Sequence, residues 1–173
     1  TSAGAAVYAS FPFDSGHDTA GVASWEFNAP LDRDSGAVGL IFKVPPLSGA
    51  STPAELATWA LTTSIDSMVQ EINATDATYT ESAMSFMTPP DPTNLATVKR
   101  RGGKIMVYHG VSDAIFSIDD TTVWYEGVAR NNGGSASNFA RFFRVTGMGH
   151  CSGGPAADQF DMLSQLVAWV EQG

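Results

Sequence analysis

Cysteine is almost absent from this chain. Cys151 is the only one in 173 residues, so no disulfide can close within it, and composition alone leaves the redox compartment open. Charge is scarce too, at 16%, and one-sided: 18 acidic side chains face 9 Lys and Arg, for a formal net charge of -9. Without a cluster of cations to displace counterions from phosphates, nucleic acid is excluded as a partner. The one basic run, Lys99-Arg100-Arg101, precedes Gly102-Gly103 and reads as cations in a last helical turn before a glycine cap. No apolar run approaches the roughly 20 residues of a membrane span, and no charged-then-apolar leader opens the chain, so no membrane partner is expected. Neither HExxH nor a Cys/His cluster occurs, and Asp119-Asp120 lacks the glycine and closing glutamate of an EF-hand, so no metal is assigned to these residues. Gly-x-Ser-x-Gly, the turn that presents a serine nucleophile, is missing as well.

What is present suits one domain, or a domain with a cover: 43% of residues are hydrophobic, enough for an ordinary core. Residues 1–50 show no sustained period, and their aromatics, Tyr8 to Phe42, lie scattered among Gly, Ser, Asp and Pro. Short strands are predicted at 7–11 and 38–44. Thr52-Pro53-Ala54-Glu55 then spells a helix start with a hydroxyl cap, proline at the first position and a glutamate closing the box. The spacing of Ile65, Met68, Val69 and Ile72 carries that helix to about Asn73. A polar stretch ends in Pro89-Pro90-Asp91-Pro92, which cannot continue a helix, and a domain seam is placed there.

From Thr93 the pattern turns regular. A short helix capped by Thr93 stops at Gly102-Gly103. The apolar run Ile105-Met106-Val107-Tyr108 predicts a strand buried on both faces. A helix over 120–130 capped by Ser117 or Asp119, a strand over 139–145 and a helix over 158–172 complete the series. Strand, helix, strand, helix with short connections implies an α/β fold with a parallel sheet.

Two residues stand at loops that follow these strands, the usual position of reactive side chains on such a sheet. Asp113 follows the first. On its own it would be an ordinary turn aspartate. His150 follows the second, within Gly147-Met148-Gly149-His150-Cys151-Ser152-Gly153-Gly154, a glycine-rich loop whose backbone must approach something closely. Acid before histidine, one helix-strand step apart, is the back half of the Ser…Asp…His order of α/β-hydrolases. As general base His150 would take a proton from a serine, and Asp113 would hold the imidazole tautomer. His109, close to Asp113 in sequence, allows a metal reading, but a third ligand is not evident.

Gly102-Gly103-Lys104-Ile105-Met106-Val107-Tyr108-His109-Gly110, Ser112-Asp113 and Gly147 to Pro155 resemble the C-terminal signature of the tannase/feruloyl esterase family. The later Phe160-Asp161-Met162-Leu163 and Leu166 to Glu171 resemble those members that cleave mono(2-hydroxyethyl) terephthalate. The likeness is dense over 95–173 and thin near Ser2-Ala3-Gly4 and Tyr8. It implies the C-terminal part of an α/β-hydrolase, residues 93–173, preceded by a partial lid or cover over 1–92. It assigns Asp113 and His150 to a catalytic triad and Phe116 to the wall of the acyl pocket. It pairs Cys151 in a disulfide with a cysteine beside the serine, both in an N-terminal portion of the same protein outside these residues. It implies a small-molecule aromatic ester as substrate, a structural calcium in a part of the lid not represented here, and a secreted or periplasmic setting. The arginine that holds a terephthalate carboxylate finds no matched position; Arg33 is nearby but out of register. The alternative is a binding or scaffold fragment that lacks the nucleophile.

Overall fold

Helix is the rule in the first half of the chain. The computed structural model describes residues 1–17 and 21–173. They fall into two units, one of Thr1–Val7 with Ala23–Pro90, the other of Tyr8–Val22 with Asp91–Gly173. In the first unit, Ser24–Asn28, Pro30–Asp34 and Val38–Phe42 wind in wide turns. Their N–H groups reach back five residues, Ala29 to Ser24, Ser35 to Pro30 and Lys43 to Val38, with one ordinary turn among them, α1 (Ser35–Ala37). The strand predicted over 38–44 is therefore helical up to Phe42. A short apolar run fits either state, and packing arbitrates: Gly39 lies against the Trp59 ring, as a side chain there could not without displacing it.

The capping box forms as its residues predict. Glu55 donates its N–H to Thr52 Oγ1 while its carboxylate accepts the Thr52 N–H, and Pro53 opens α2 (Pro53–Thr62). The single helix expected to reach Asn73 is two. Thr63 is extended and Ser64 caps α3 (Ile65–Ile72), its hydroxyl accepting from Ser67 N–H. The hydroxyls of Thr62-Thr63-Ser64 compete for backbone groups, which favours a break and a new cap over continuation. A further short helix, α4 (Ala83–Met87), capped by Ser82, interrupts the stretch expected to be a plain connector.

In the second unit α5 (Ala96–Arg100) begins after Leu95, two residues later than a Thr93 cap would set. Asn94 Oδ1 takes the Ala96 N–H, while Thr93 accepts from Asn131. Gly102, at φ +72°, closes it as predicted. Strands β1 (Ile105–Gly110) and β2 (Ala140–Val145) run parallel, Ile105 opposite Ala140 through Gly110 opposite Val145. Helix α6 (Ile118–Arg130) connects them, capped by Ser117. Helix α7 (Met162–Gln172) starts later than the pattern from 158, because Asp161 caps it by accepting the Ser164 N–H. Val128, Ala136, Phe139 and Ala140 form the core, with Leu95, Ile105, Trp124 and Tyr125 against it. Burying Val128 and Phe139 contributes about 1.5–3 kcal/mol each, and each alanine methyl less, about 0.8 kcal/mol. The expectation that β1 is buried on both faces is not met: Tyr108 stays 41% exposed on this two-stranded sheet. The strand predicted over 7–11 is irregular, tied instead by side chains near α6: Ala9 N–H donates to Asp120, and Ser117 donates to the Ser10 carbonyl.

Candidate active site

Both chemistry-bearing loops leave the same end of the sheet, 111–117 after β1 and 146–155 after β2. Parallel pairing dictates this, since both strands end on one edge. The ladder continues into the loops: Val111 N–H donates to the Val145 carbonyl at 2.9 Å and Ser112 N–H to that of Met148 at 3.0 Å. Gly110 is required by this approach, since a Cβ there would collide with the Met148 and Gly149 carbonyl oxygens. Gly147 adopts φ +77°, a conformation that favours glycine, with Pro155 against it.

Within this frame Asp113 is buried, 4% exposed. Its Oδ1 accepts the N–H groups of Ile115 at 2.8 Å and Phe116 at 3.1 Å. Its Oδ2 lies 2.9 Å from His150 Nδ1. A carboxylate can only accept, so Nδ1 carries the proton, and in the neutral ring Nε2 is the nitrogen with the lone pair. Burial alone would raise the Asp113 pKa. The His150 hydrogen bond and the two backbone donors outweigh it, and the carboxyl titrates below the ordinary aspartate value. His150 itself is 40% exposed at its side chain and borders a cleft of about 280 Å³, whose walls include Tyr108, Phe116 and Cys151. The Phe116 ring lies 5.6 Å from the imidazole, centroid to centroid. Cys151 is exposed and unpaired, at φ +66°. All four residues singled out by sequence thus gather at one cleft. An imidazole with a free Nε2, backed by a buried carboxylate, can accept a proton from a nucleophile and return it.

Two participants were not foreseen in these roles. His109, considered above as a metal ligand, is a hydrogen-bond partner of Asp113, with Nε2 3.2 Å from Oδ2. Asp14 is buried and braces both loops: its Oδ1 accepts Ser112 Oγ at 2.5 Å and the N–H groups of Gly16 and Gly147 at 3.0 and 3.1 Å. Its pKa is lowered, first by the Ser112 hydroxyl and next by the Gly16 N–H. Nothing local in Phe13-Asp14-Ser15-Gly16 announces partners so distant in sequence. Among the described residues no group of three or more His, Cys, Asp or Glu side chains is arranged to hold a metal ion, so none of them offers a site for the calcium that the family resemblance puts in a part of the lid not represented here. A larger open groove of about 810 Å³ is lined by apolar side chains such as Met106, Tyr108, Phe143 and Phe160, with no histidine, serine or cysteine.

Comparison with solved structures fits this geometry to the α/β-hydrolase fold. An esterase from Aspergillus oryzae matches with a TM-score of 0.51 at 22% identity, over 72% of this chain and 29% of that one. Feruloyl esterase B from the same organism matches at 0.50 and 23%, over 74% and 29%. The family model described as tannase and feruloyl esterase matches residues 51–173, and the chain belongs to that family. Among curated relatives, mono(2-hydroxyethyl) terephthalate hydrolase of Piscinibacter sakaiensis is 50% identical over 103 residues, 60% of this chain and 17% of its own length. Feruloyl esterase B of Aspergillus niger is 36% identical over 100 residues, 48% and 19% respectively. The chain therefore spans less than a fifth of the length of these two relatives. Among the described residues no helix is long and apolar enough to cross a membrane.

Proposed function

We propose that this chain supplies the acid and the base of a serine carboxylic ester hydrolase acting on aromatic esters. One observation carries the reading: His150 Nδ1 bonded to buried Asp113 Oδ2 at 2.9 Å, with the imidazole at an open cleft. The serine comes from outside these 173 residues, in an N-terminal portion of the same protein. Its Oγ attacks the ester carbonyl carbon as His150 Nε2 takes the proton, giving a tetrahedral intermediate. Collapse expels the alcohol, which takes that proton back, and leaves an acyl-enzyme. Water, deprotonated by the same nitrogen, releases the acid. Asp113 stabilises the imidazolium formed in each half. Phe116 offers an aromatic wall for the acyl group. Names of relatives support feruloyl or mono(2-hydroxyethyl) terephthalate esters as the substrate class.

In the same reading Cys151 forms a disulfide that tethers the histidine loop to the serine loop, the first unit belongs to a lid that also holds a structural calcium elsewhere, and the protein is secreted or periplasmic. The test starts from the complete polypeptide carrying this chain. Its mass is taken unreduced and after reduction and thiol alkylation, and its hydrolysis of p-nitrophenyl, feruloyl and terephthaloyl esters is followed with H150A and D113N alongside. An acyl burst is expected, with kcat down by roughly three to four orders of magnitude in each variant at unchanged fold. Hydrolysis that survives H150A overturns the mechanism. A Cys151 that alkylates without reduction overturns the disulfide alone.

A further inference from the structure

His109 occupies the last position but one of β1, its side chain only 14% exposed, and none of the steps above uses it. Its Nε2 lies 3.2 Å from Asp113 Oδ2 and 3.0 Å from the Phe116 carbonyl oxygen. Both atoms are acceptors, so Nε2 must carry a proton. Nδ1 then meets the Thr121 hydroxyl at 2.9 Å, which can donate to it. The acid is consequently held at every lone-pair direction. Backbone N–H groups hold Oδ1, and two imidazoles hold Oδ2, one from β1 itself and one from the loop after β2.

From this we infer that His109 is a positioning residue for the catalytic acid, a role that rests on the Asp113–His150 reading. It fixes the carboxylate plane against rotation and, through the Phe116 carbonyl, ties the acyl-pocket ring to the same anchor. It also shares the charge on Oδ2, so the carboxylate stabilises the His150 imidazolium less than it would alone. The charged and titratable groups around this pair come from four directions. Arg144 stands beside His109 across the parallel ladder, and Asp119 of α6 lies 3.7 Å from that guanidinium. Asp113 comes from the loop after β1, and His150 and Cys151 from the loop after β2.

The test uses the complete polypeptide with two substitutions. H109F keeps ring volume and removes the donor, whereas H109Q can place an N–H near the Nε2 position. For an aromatic ester, H109F is expected to lower kcat about tenfold, the scale of one hydrogen bond to a charged group. It is expected to shift the acid limb of the kcat/KM profile upward by about half a pH unit as Asp113 loses a competing donor. It should also raise KM for aryl more than for acetyl esters, through Phe116. H109Q is expected to recover kcat to within threefold and restore the limb. A folded H109F with kcat and limb unchanged overturns the inference, as does a loss that H109Q leaves unrescued with the limb unmoved. Long-range ¹H–¹⁵N correlation spectra decide independently of turnover: His109 is expected as the Nε2–H tautomer, and an Nδ1–H tautomer overturns the role. A parent protein without esterase activity, or activity that persists in H150A, counts against the proposed mechanism, and the tautomer still tests the His109 placement.

Discussion

Hydrogen bonds in the two units span very different lengths of chain. In the first unit most close over a turn: Thr52 with Glu55, Ser64 with Ser67, Thr58 with Ala54. In the second, the bonds that build the cleft join residues far apart. His150 and Asp113 are separated by 37 positions, Ser112 and Asp14 by 98, Gly147 and Asp14 by 133. Local bonds stabilise an element wherever it packs. Long-range bonds exist only once the sheet has brought its two loops together, so the site is a product of tertiary structure, and its acid is held by whatever the fold places beside it.

Disrupting a long-range bond should therefore cost more than disrupting a local one. D14A takes the acceptor from the buried Ser112 hydroxyl and the Gly147 N–H and is expected to destabilise the second unit by about 2–3 kcal/mol. Amide exchange at Gly16 and Gly147 should accelerate accordingly. An unchanged exchange rate at Gly147 would mean that Asp14 does not brace the histidine loop. The same contrast predicts a pH effect. Asp14 and Asp113 both have folded-state pKa values below the ordinary one. Their contribution is thus fully present above the unfolded aspartate value of about 3.9 and is lost as pH falls through the lower folded values. Acidification below about pH 4 should loosen the cleft loops, read as earlier amide exchange there than in the core of α6. Exchange that stays flat down to pH 2 would contradict the assignment.

At the local end, T52A removes one half of the capping box and is expected to cost about 1 kcal/mol, confined to the start of α2 and read at the Glu55 amide. The proposed esterase activity of the complete polypeptide should not move with it. Smallest of all, R33A breaks an exposed pair with Asp34, 54% and 43% exposed at the side chains, and should change stability by less than about 0.5 kcal/mol. A larger loss would show that the wide-turned segment relies on Arg33, whose guanidinium also lies 4.7 Å from the Trp25 ring centroid.

The same division governs how far the sequence could be read. The α/β alternation, the parallel sheet, the Thr52 box, the Ser117 cap and the glycine closing α5 all follow from residues within a few positions of one another, and all are found. The misjudged stretches fall where a local pattern has two solutions. The run at 38–42 fits strand or helix, and the hydroxyls at 62–64 permit either a continuous helix or a break. For the cleft, Asp113, His150, Phe116 and Cys151 were legible because the family resemblance and the strand-loop positions coincide. Asp14 was not, since a turn aspartate carries no mark of a partner more than a hundred residues on.

By itself, then, the sequence determined the order of elements, the end of the sheet at which Asp113 and His150 emerge, and a formal net charge of -9. Only the tertiary structure decided that Asp113 would face two histidines rather than one, and that Asp14 would join both loops. Periodicity and capping act through neighbours on the chain, whereas a carboxylate's partners are chosen by which strands pair and in what register.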